Sequence, residues 1–322
     1  MNPTVLAFGE ILWDILPSGK VLGGAPANVA FRLHERKILV GLVSRIGNDV
    51  LGAELKDALS QAGLSLSYLQ EDNELPTGTV SVKINKDGNP RYQIHTDVAY
   101  DAIEATPALL EFARTAQVIC YGTLAQRSTT SQGTLRAVLT AAQSAIKVCD
   151  INLRKDCYTN DTIREALEHA HVLKLNRSEV APMADLTEVD SSSTSEFANQ
   201  IFRKYPLLNT ILITLGEDGV EAFSSSGSRV HVATTHVSVL DTIGSGDAFT
   251  AGFISGVLAG DSLEASCRRG NVLGALAATK RGGMGAISDY EVQSFASRLG
   301  IGSCVTGPAS TLEITEAQTG VG

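Results

Sequence analysis

The chain has 322 residues, 43% of them hydrophobic, and a formal net charge of -9. That length and apolar content suit one large α/β domain or two small ones around a sizeable core. The acidic balance, with no basic run or aromatic-basic interleaving, argues against a nucleic-acid surface and for small-molecule work.

The five cysteines, Cys120, Cys149, Cys157, Cys267 and Cys304, show no C-x-x-C spacing and no Cys/His cluster. They suit a reduced, cytoplasmic protein with thiols in its core. No basic leader and no long apolar segment occurs, so neither export nor a membrane span is expected.

Val5 to Phe8 reads as a buried strand that ends in Gly9-Glu10, with Trp13-Asp14 soon after. The G-x-G-x-x-G of a dinucleotide fold is missing there. Gly23-Gly24-Ala25-Pro26-Ala27-Asn28 is a glycine turn entering a helix with Val29, Ala30 and Leu33 on its apolar face. Asp14 and Asn28 carry short carboxylate and amide groups that suit gripping the vicinal hydroxyls of a sugar; taken alone, a turn followed by a capped helix accounts for them slightly better.

A strand at Leu39 to Val43 and a helix from Leu51 to Ala62 follow. Val80, Val82 and Ile84 then alternate with polar residues, Asn85 to Gly88 supplies a turn, and alternation resumes through Tyr92 and Ile94. This is a hairpin with one apolar face, expected to act as a flap. Tyr92 and His95 could touch a ligand beneath it, although a lone histidine is more often structural.

From Ala105 onward strand and helix signals alternate: strands at Val118 to Tyr121, Val148 to Ile151, Val172 to Leu175 and Thr210 to Thr214, with helices running to Ala145, to Ala170 and around Phe197 to Lys204. Continuous apolar strands between amphipathic helices predict an α/β fold with a mostly parallel sheet covered on both faces. Polar groups fall at successive strand ends, where open α/β sheets bind ligands: Asp150-Ile-Asn152-Leu-Arg154, Lys174-Leu-Asn176-Arg-Ser-Glu179, and Thr214-Leu-Gly216-Glu-Asp-Gly219. If the first segment is extended, Asp150, Asn152 and Arg154 share one side. Asn176 and Glu179 could hold Mg²⁺ through its waters.

The stretch Asp241-Thr242-Ile243-Gly244-Ser245-Gly246-Asp247 runs straight into a small, apolar helix. Backbone N–H groups there can converge on a phosphate at the helix N-terminus. Asp247, in the first turn, would lie beside the phosphoryl group and reads as a base, or simply as a cap. Along the helix Phe249, Phe253 and Val257 form a buried stripe, and Gly252, Gly256 and Gly260 a bare one for a backbone or a ligand. The tail from 304 to 322 is expected to be disordered.

The two glycine signatures, Gly23 to Asn28 and Asp241 to Asp247, resemble those of the ribokinase-like (PfkB) carbohydrate kinases, and the likeness extends to about residue 300. The resemblance implies a three-layer α/β/α sandwich over residues 1–303 with a small β lid from about 12–24 and 76–98. It also implies ATP as donor, Mg²⁺ and K⁺ as ions, and a homodimer formed through the lid. Asp14, Gly23, Gly24, Asn28, Tyr92, His95 and Asn152 would bind the sugar. Asp247 would be the base, with Gly244, Ser245 and Gly246 as the anion hole and Arg154 beside the transferring group. Asn176, Thr214, Gly216, Gly219, Gly244, Gly246 and Asn271 would hold the nucleotide, Asn176 and Glu179 the Mg²⁺ waters, and Asp241 and Thr242 the K⁺.

Within that family Trp13-Asp14, Pro90-Arg-Tyr-Gln-Ile-His95 and Asp150-Ile-Asn-Leu-Arg154 resemble bacterial fructokinases most. Kinases of 2-keto-3-deoxygluconate, ribose or nucleosides share the frame, and a non-catalytic sugar- or nucleotide-binding regulator is the alternative of another class. A helix N-terminus should keep Asp247 ionised and only weakly basic.

Overall fold

The computed structural model describes residues 4–17, 19–84 and 90–298, with side chains for all of these except 82–84 and 90–92. The turn expected at Asn85 to Gly88, the Tyr92 side chain, Cys304 and the tail from 304 lie outside the described part.

In chain order, β1 (Val5–Phe8) leads into an antiparallel pair, β2 (Leu12–Leu16) and β3 (Gly19–Gly23), then α1 (Ala25–Glu35), β4 (Val40–Gly47), α2 (Val50–Gln61) and β5 (Leu69–Asp72). A second antiparallel pair, β6 (Thr79–Ile84) and β7 (Pro90–Ile94), precedes α3 (Pro107–Thr115), β8 (Val118–Tyr121), α4 (Thr129–Ala141), β9 (Ile146–Asp150), α5 (Asn160–Glu168) and β10 (Val172–Asn176). The chain continues through α6 (Val180–Thr187), α7 (Thr194–Lys204), β11 (Thr210–Thr214), β12 (Val220–Ser224) and β13 (Arg229–Val232). It closes on α8 (Ser245–Leu258), α9 (Leu263–Ala278) and α10 (Asp289–Arg298).

Nine strands form the large sheet in the order β13-β12-β11-β10-β9-β8-β1-β4-β5, parallel except for β12 and β13 at one edge. Its central strands are buried on both faces: every residue of β1 and β8 is inaccessible. This explains their unbroken apolar runs, because a parallel sheet is covered by helices on each side. The architecture is the α/β fold with a mostly parallel sheet expected from the sequence.

The order places β1 between β4 and β8, with Val5 in register with Val40 on one side and Val118 on the other. The chain therefore builds one wing of the sheet from β1 and later returns to build the other. Such a reversal opens a crevice at the strand's carboxyl end, the position where sheets of this kind take ligands. Gly9 and Glu10 occupy it.

The second sheet is small and mixed, in the order β3-β2-β6-β7. β2 and β6 run parallel, with Trp13 opposite Thr79. The hairpin read from the sequence is thus the outer half of a four-stranded sheet.

In α8, Phe249 and Phe253 are buried as expected. The bare stripe is filled by protein: a Cβ on Gly252 would stand 2.6 Å from the Arg269 carbonyl oxygen, and one on Gly256 2.7 Å from the Ser266 Cα. The glycines let α9 lie directly on α8, close enough that backbone meets backbone. Gly260 belongs to a different device, since it follows the helix with φ 75° in open space and ends it.

Cys120, Cys149, Cys157 and Cys267 are free and buried, as expected. Among the described residues, no helix is long and apolar enough to cross a membrane.

Candidate active site

The crevice is lined first by the turn into α1. Gly24 has φ 113°, and a Cβ there would lie 2.5 Å from the Glu10 carbonyl oxygen, so only glycine fits. With no side chain to cap the helix, the Ala25 N–H is satisfied from a distance by Glu10 Oε1 at 3.1 Å. That fixes the direction of α1's first turn and hence of Asn28, which is only 4% exposed. Asn28 Nδ2 donates to Asp247 Oδ2 at 2.7 Å, while its Oδ1 is buried with no partner in the protein. A buried acceptor without a donor is costly, and this one faces Gly283, where a Cβ would stand 2.3 Å away.

Asp14 sits half-buried on β2, its Oδ2 2.6 Å from where a Gly23 Cβ would stand. Burial pushes its carboxyl above the ordinary range, with Arg154 drawing it back. Glu10, buried more deeply, is pushed up to about 7 by burial, with two backbone hydrogen bonds and Arg154 opposing.

The opposite wall is the start of α8. Gly244 is the N-cap in a left-handed conformation, φ 77°, and offers no side-chain cap. The Gly246 and Asp247 N–H groups, in the first turn, have no carbonyl four residues back within the helix to bond. Ser245 Oγ is buried and without a partner. The start of α8 thus leaves the Gly246 and Asp247 amides without intrahelical partners, at the place where the sequence leads one to expect an anion.

Asp247 is raised to about 6, by burial first and Asp150 second, against its bond from Asn28 and the charges of Lys174 and Arg154. This corrects the expectation of a weakly basic carboxylate. A helix terminus contributes a partial charge that falls off within one turn, whereas loss of water acts on the whole carboxylate.

Asp241 joins this loop to the one after α9, accepting from Gly282 N through Oδ2 at 2.9 Å and from Ile243 N through Oδ1 at 3.0 Å. Arg32, fully buried on α1, clamps the same loop by donating to the Gly283 carbonyl at 3.0 Å. Thr242 is exposed beside it.

At the ends of β9, β10 and β11 one expectation fails. Asn152 has φ 41°, so the segment turns and does not extend. Asp150 points inward, Arg154 is exposed, and the three do not share one side. Arg154 still acts on the crevice through its charge on Asp14, Glu10 and Asp247.

Asn176 and Glu179 form a reciprocal cap: Glu179 N donates to Asn176 Oδ1 at 3.1 Å, and Asn176 N to Glu179 Oε2 at 2.8 Å. Glu179 Oε1 also accepts from Leu153 N at 2.8 Å, tying the loop after β9 to the loop after β10. Among the described residues no three acidic, histidine or cysteine groups converge as metal ligands. Both Glu179 oxygens and Asn176 Oδ1, which also accepts from Ser178 Oγ at 2.5 Å, are thus engaged within the protein, and the two residues visibly hold the loops after β9 and β10.

Thr214 ends β11, and Gly216 follows with φ 65°. Gly219, φ 93°, packs so tightly that a Cβ would be 2.1 Å from the Val232 carbonyl oxygen. Asn271 donates to that same oxygen at 2.8 Å, so both residues position the end of β13. His95 is engaged with Ser81 Oγ at 2.7 Å, the structural use foreseen as its alternative.

A cavity of about 370 Å³ lies between the segment leading into the Asp241 loop, which gives His236 and Val237, the end of α9, which gives Leu276 and Thr279, and Phe295 of α10. Sequence reading did not find Glu10, the Lys174–Asp150 pair or this cavity. The pair had a visible signal: a lysine within the apolar run Val172 to Leu175, in a strand whose neighbour ends in aspartate.

Asn28, Asp247 and the uncapped start of α8 thus meet at the switch point of a parallel sheet, where folds of this kind take ligands. The chain belongs to the PfkB carbohydrate kinase family: residues 18–289 match "pfkB family carbohydrate kinase". It is 29% identical over 305 residues to a fructokinase of Klebsiella pneumoniae, covering 89% of this chain and 97% of that one. Its fold is that of a fructokinase with bound ATP from Xylella fastidiosa, TM-score 0.80 at 22% identity over 93% of this chain and 100% of that one. It is also similar to a Vibrio cholerae fructokinase in its fructose, ADP and potassium-bound form, TM-score 0.78 at 22% identity, covering 92% and 99%. The chain is thus a sugar kinase.

Proposed function

We propose that this kinase phosphorylates fructose at its primary 6-hydroxyl, with ATP as donor and Asp247 as base. The observation that carries the reading is Asp247 itself. It lies in the first turn of α8, beside the uncapped amides, and is held at 2.7 Å by Asn28, whose other amide atom has no partner in the protein.

MgATP, when bound, supplies the phosphoryl group, its metal spreading the charge on the phosphates. Asp14 and Asn28 orient the sugar so that its primary hydroxyl faces Asp247. Asp247 accepts the hydroxyl proton as the oxygen attacks, and the Gly246 and Asp247 amides receive the charge on the phosphoryl oxygens. A carboxylate with a pKa near 6 is ionised at neutral pH yet basic enough to take that proton. Arg154, exposed at the crevice, supplies the cation for phosphate. Gly216, with open space where a Cβ would stand, leaves room for the nucleotide's phosphates, and the cavity at Val237 and Phe295 suits its base. The small sheet would act as a lid that excludes water, and its exposed face would pair two copies of the chain. Asp241 and Thr242 would face a K⁺ ion, and the site of action would be the cytoplasm.

A second reading is a sugar acid, such as 2-keto-3-deoxygluconate. The exposed Arg154 favours it, because its charge reaches Asp14 in the sugar site. The test is ADP release with MgATP and K⁺ over fructose, ribose, 2-keto-3-deoxygluconate, adenosine and no sugar. Fructose-dependent turnover is expected; preference for the acid sugar would move the assignment, and sugar binding without turnover would favour a regulator.

A further inference from the structure

Beneath the anion cradle lies a charged pair that the reaction as described does not use. Lys174 on β10 and Asp150 on β9 face each other in register. Lys174 Nζ donates to both Asp150 oxygens at 2.9 Å, and both residues are buried. Asp150 Oδ2 also accepts from Thr250 Oγ1 at 2.8 Å, and Thr250 stands on α8, one turn after Gly246. The Lys174 ammonium lies 3.1 Å from the position of a Cβ on Gly246, directly under the cradle.

Burying two ions is expensive, and a well-packed apolar pair would serve stability equally well or better. The placement gives a reason to keep them. Three elements, β9, β10 and α8, meet at this one contact, and its positive end is turned towards the place where the phosphoryl charge develops. We propose that Asp150, Lys174 and Thr250 are positioning residues, a buried charged support that fixes the first turn of α8 and balances the field at Asp247.

The charged and titratable groups facing Asp247 are Asp150 and Lys174 from the sheet, Arg154 from the loop after β9, Glu10 at the end of β1, and the neutral, buried thiol of Cys120. Burial pushes the Lys174 ammonium down, but Asp150 and Asp247 outweigh it and keep the group charged. Asp150 and Lys174 act on Asp247 with opposite sign, the first disfavouring its ionised form and the second favouring it. Removing one member must therefore displace the Asp247 titration in one direction and removing the other in the reverse direction. Opposite displacements would show that both charges reach Asp247, and a split of kcat from KM would separate positioning from a merely structural role.

This inference rests on Asp247 as base only for its kinetic consequence, so the titration is read directly. The protein is labelled with aspartate carrying ¹³C at the carboxyl, the Asp247 signal is assigned by its loss in Asp247→Asn, and its midpoint is followed in Asp150→Asn, Lys174→Met and Thr250→Val. The midpoint is expected to fall in Asp150→Asn and to rise in Lys174→Met, each by about half a unit or more, and to stay in place in Thr250→Val, which keeps both charges. Turnover should fall in the two charge variants with the KM for ATP and sugar changed less than kcat. If the Asp247 midpoint is unmoved, or moves the same way in both charge variants, the support is refuted. Where Lys174→Met does not fold, Asp150→Asn decides alone: a midpoint that stays or rises overturns the proposal. A midpoint that moves as expected while the acid limb of kcat/KM stays fixed upholds the support and removes Asp247 as base.

Discussion

The two glycines of the cradle should respond very differently to alanine. Gly244 has φ 77°, and its Cβ would stand 2.5 Å from the Gly283 Cα. A left-handed conformation costs a non-glycine residue about 1–2 kcal/mol, and the close contact is backbone against backbone, so the Asp241 and Gly282 loops must separate. Opening them strains the Asp241–Gly282 bond and the Arg32 clamp on Gly283. A total loss of about 2–4 kcal/mol follows. Gly246 sits inside the first turn with no positive φ, and its nearest neighbour is the end of the Lys174 side chain at 3.1 Å. Alanine gains up to about 1 kcal/mol of helix propensity there, which offsets the crowding. Urea unfolding of both variants separates the cases. With an m-value of about 3 kcal/mol/M, a loss of 2 kcal/mol lowers the midpoint by about 0.7 M. Gly244→Ala should show that drop and Gly246→Ala should stay close to the unaltered protein. Equal stability of the two would refute the argument that Gly244 is fixed by backbone contact.

Two further outcomes follow from the buried carboxyls. As the proposed base Asp247 would have to be ionised to act, so kcat/KM should fall as pH drops below about 6, the free-enzyme value set by burial and Asp150; a rate unchanged down to pH 4.5 would contradict this. Glu10 has a folded pKa near 7 against an ordinary 4.5, so it holds its proton more tightly when folded, and its contribution to stability is complete below 4.5 and lost as pH rises through 7. Glu10→Gln keeps the acceptor for Ala25 N without the charge. It should stabilise the protein at pH 8 by on the order of 2–3 kcal/mol, with the gap closing at pH 5 in thermal unfolding at the two pH values.

How much of this could be read beforehand depended on whether a residue's role was local. The strands Val118 to Tyr121 and Thr210 to Thr214 fall where expected, because burial on both faces writes itself as a continuous apolar run. The Gly244 cradle and the α1 turn were legible for a similar reason: glycine and capping chemistry act over a few residues. β5, β12 and β13 were missed, being four- or five-residue strands at or next to the sheet's edges with partly exposed, mixed sequences. The parallel pairing of β2 with β6 joins segments more than sixty residues apart, which periodicity cannot report.

At the site, the line drawn through Asp150, Asn152 and Arg154 assumed extended backbone, and the left-handed Asn152 breaks it. Asn28 and Asp247 are 219 residues apart in sequence, and only the resemblance to a family brought them into one site before the fold did. Asn271 and Gly219 were assigned to nucleotide, yet both visibly hold β13, so their effect on a ligand would pass through that strand.

The most direct test of the account is Asp247→Asn. The amide is nearly the shape of the carboxylate and can still meet Asn28, so fructose and ATP should bind within a few-fold of normal by calorimetry. Turnover should fall by about 10²–10⁴, the scale of a lost general base. Loss of turnover with binding retained is the predicted result; near-normal turnover would remove Asp247 as the base and the mechanism with it.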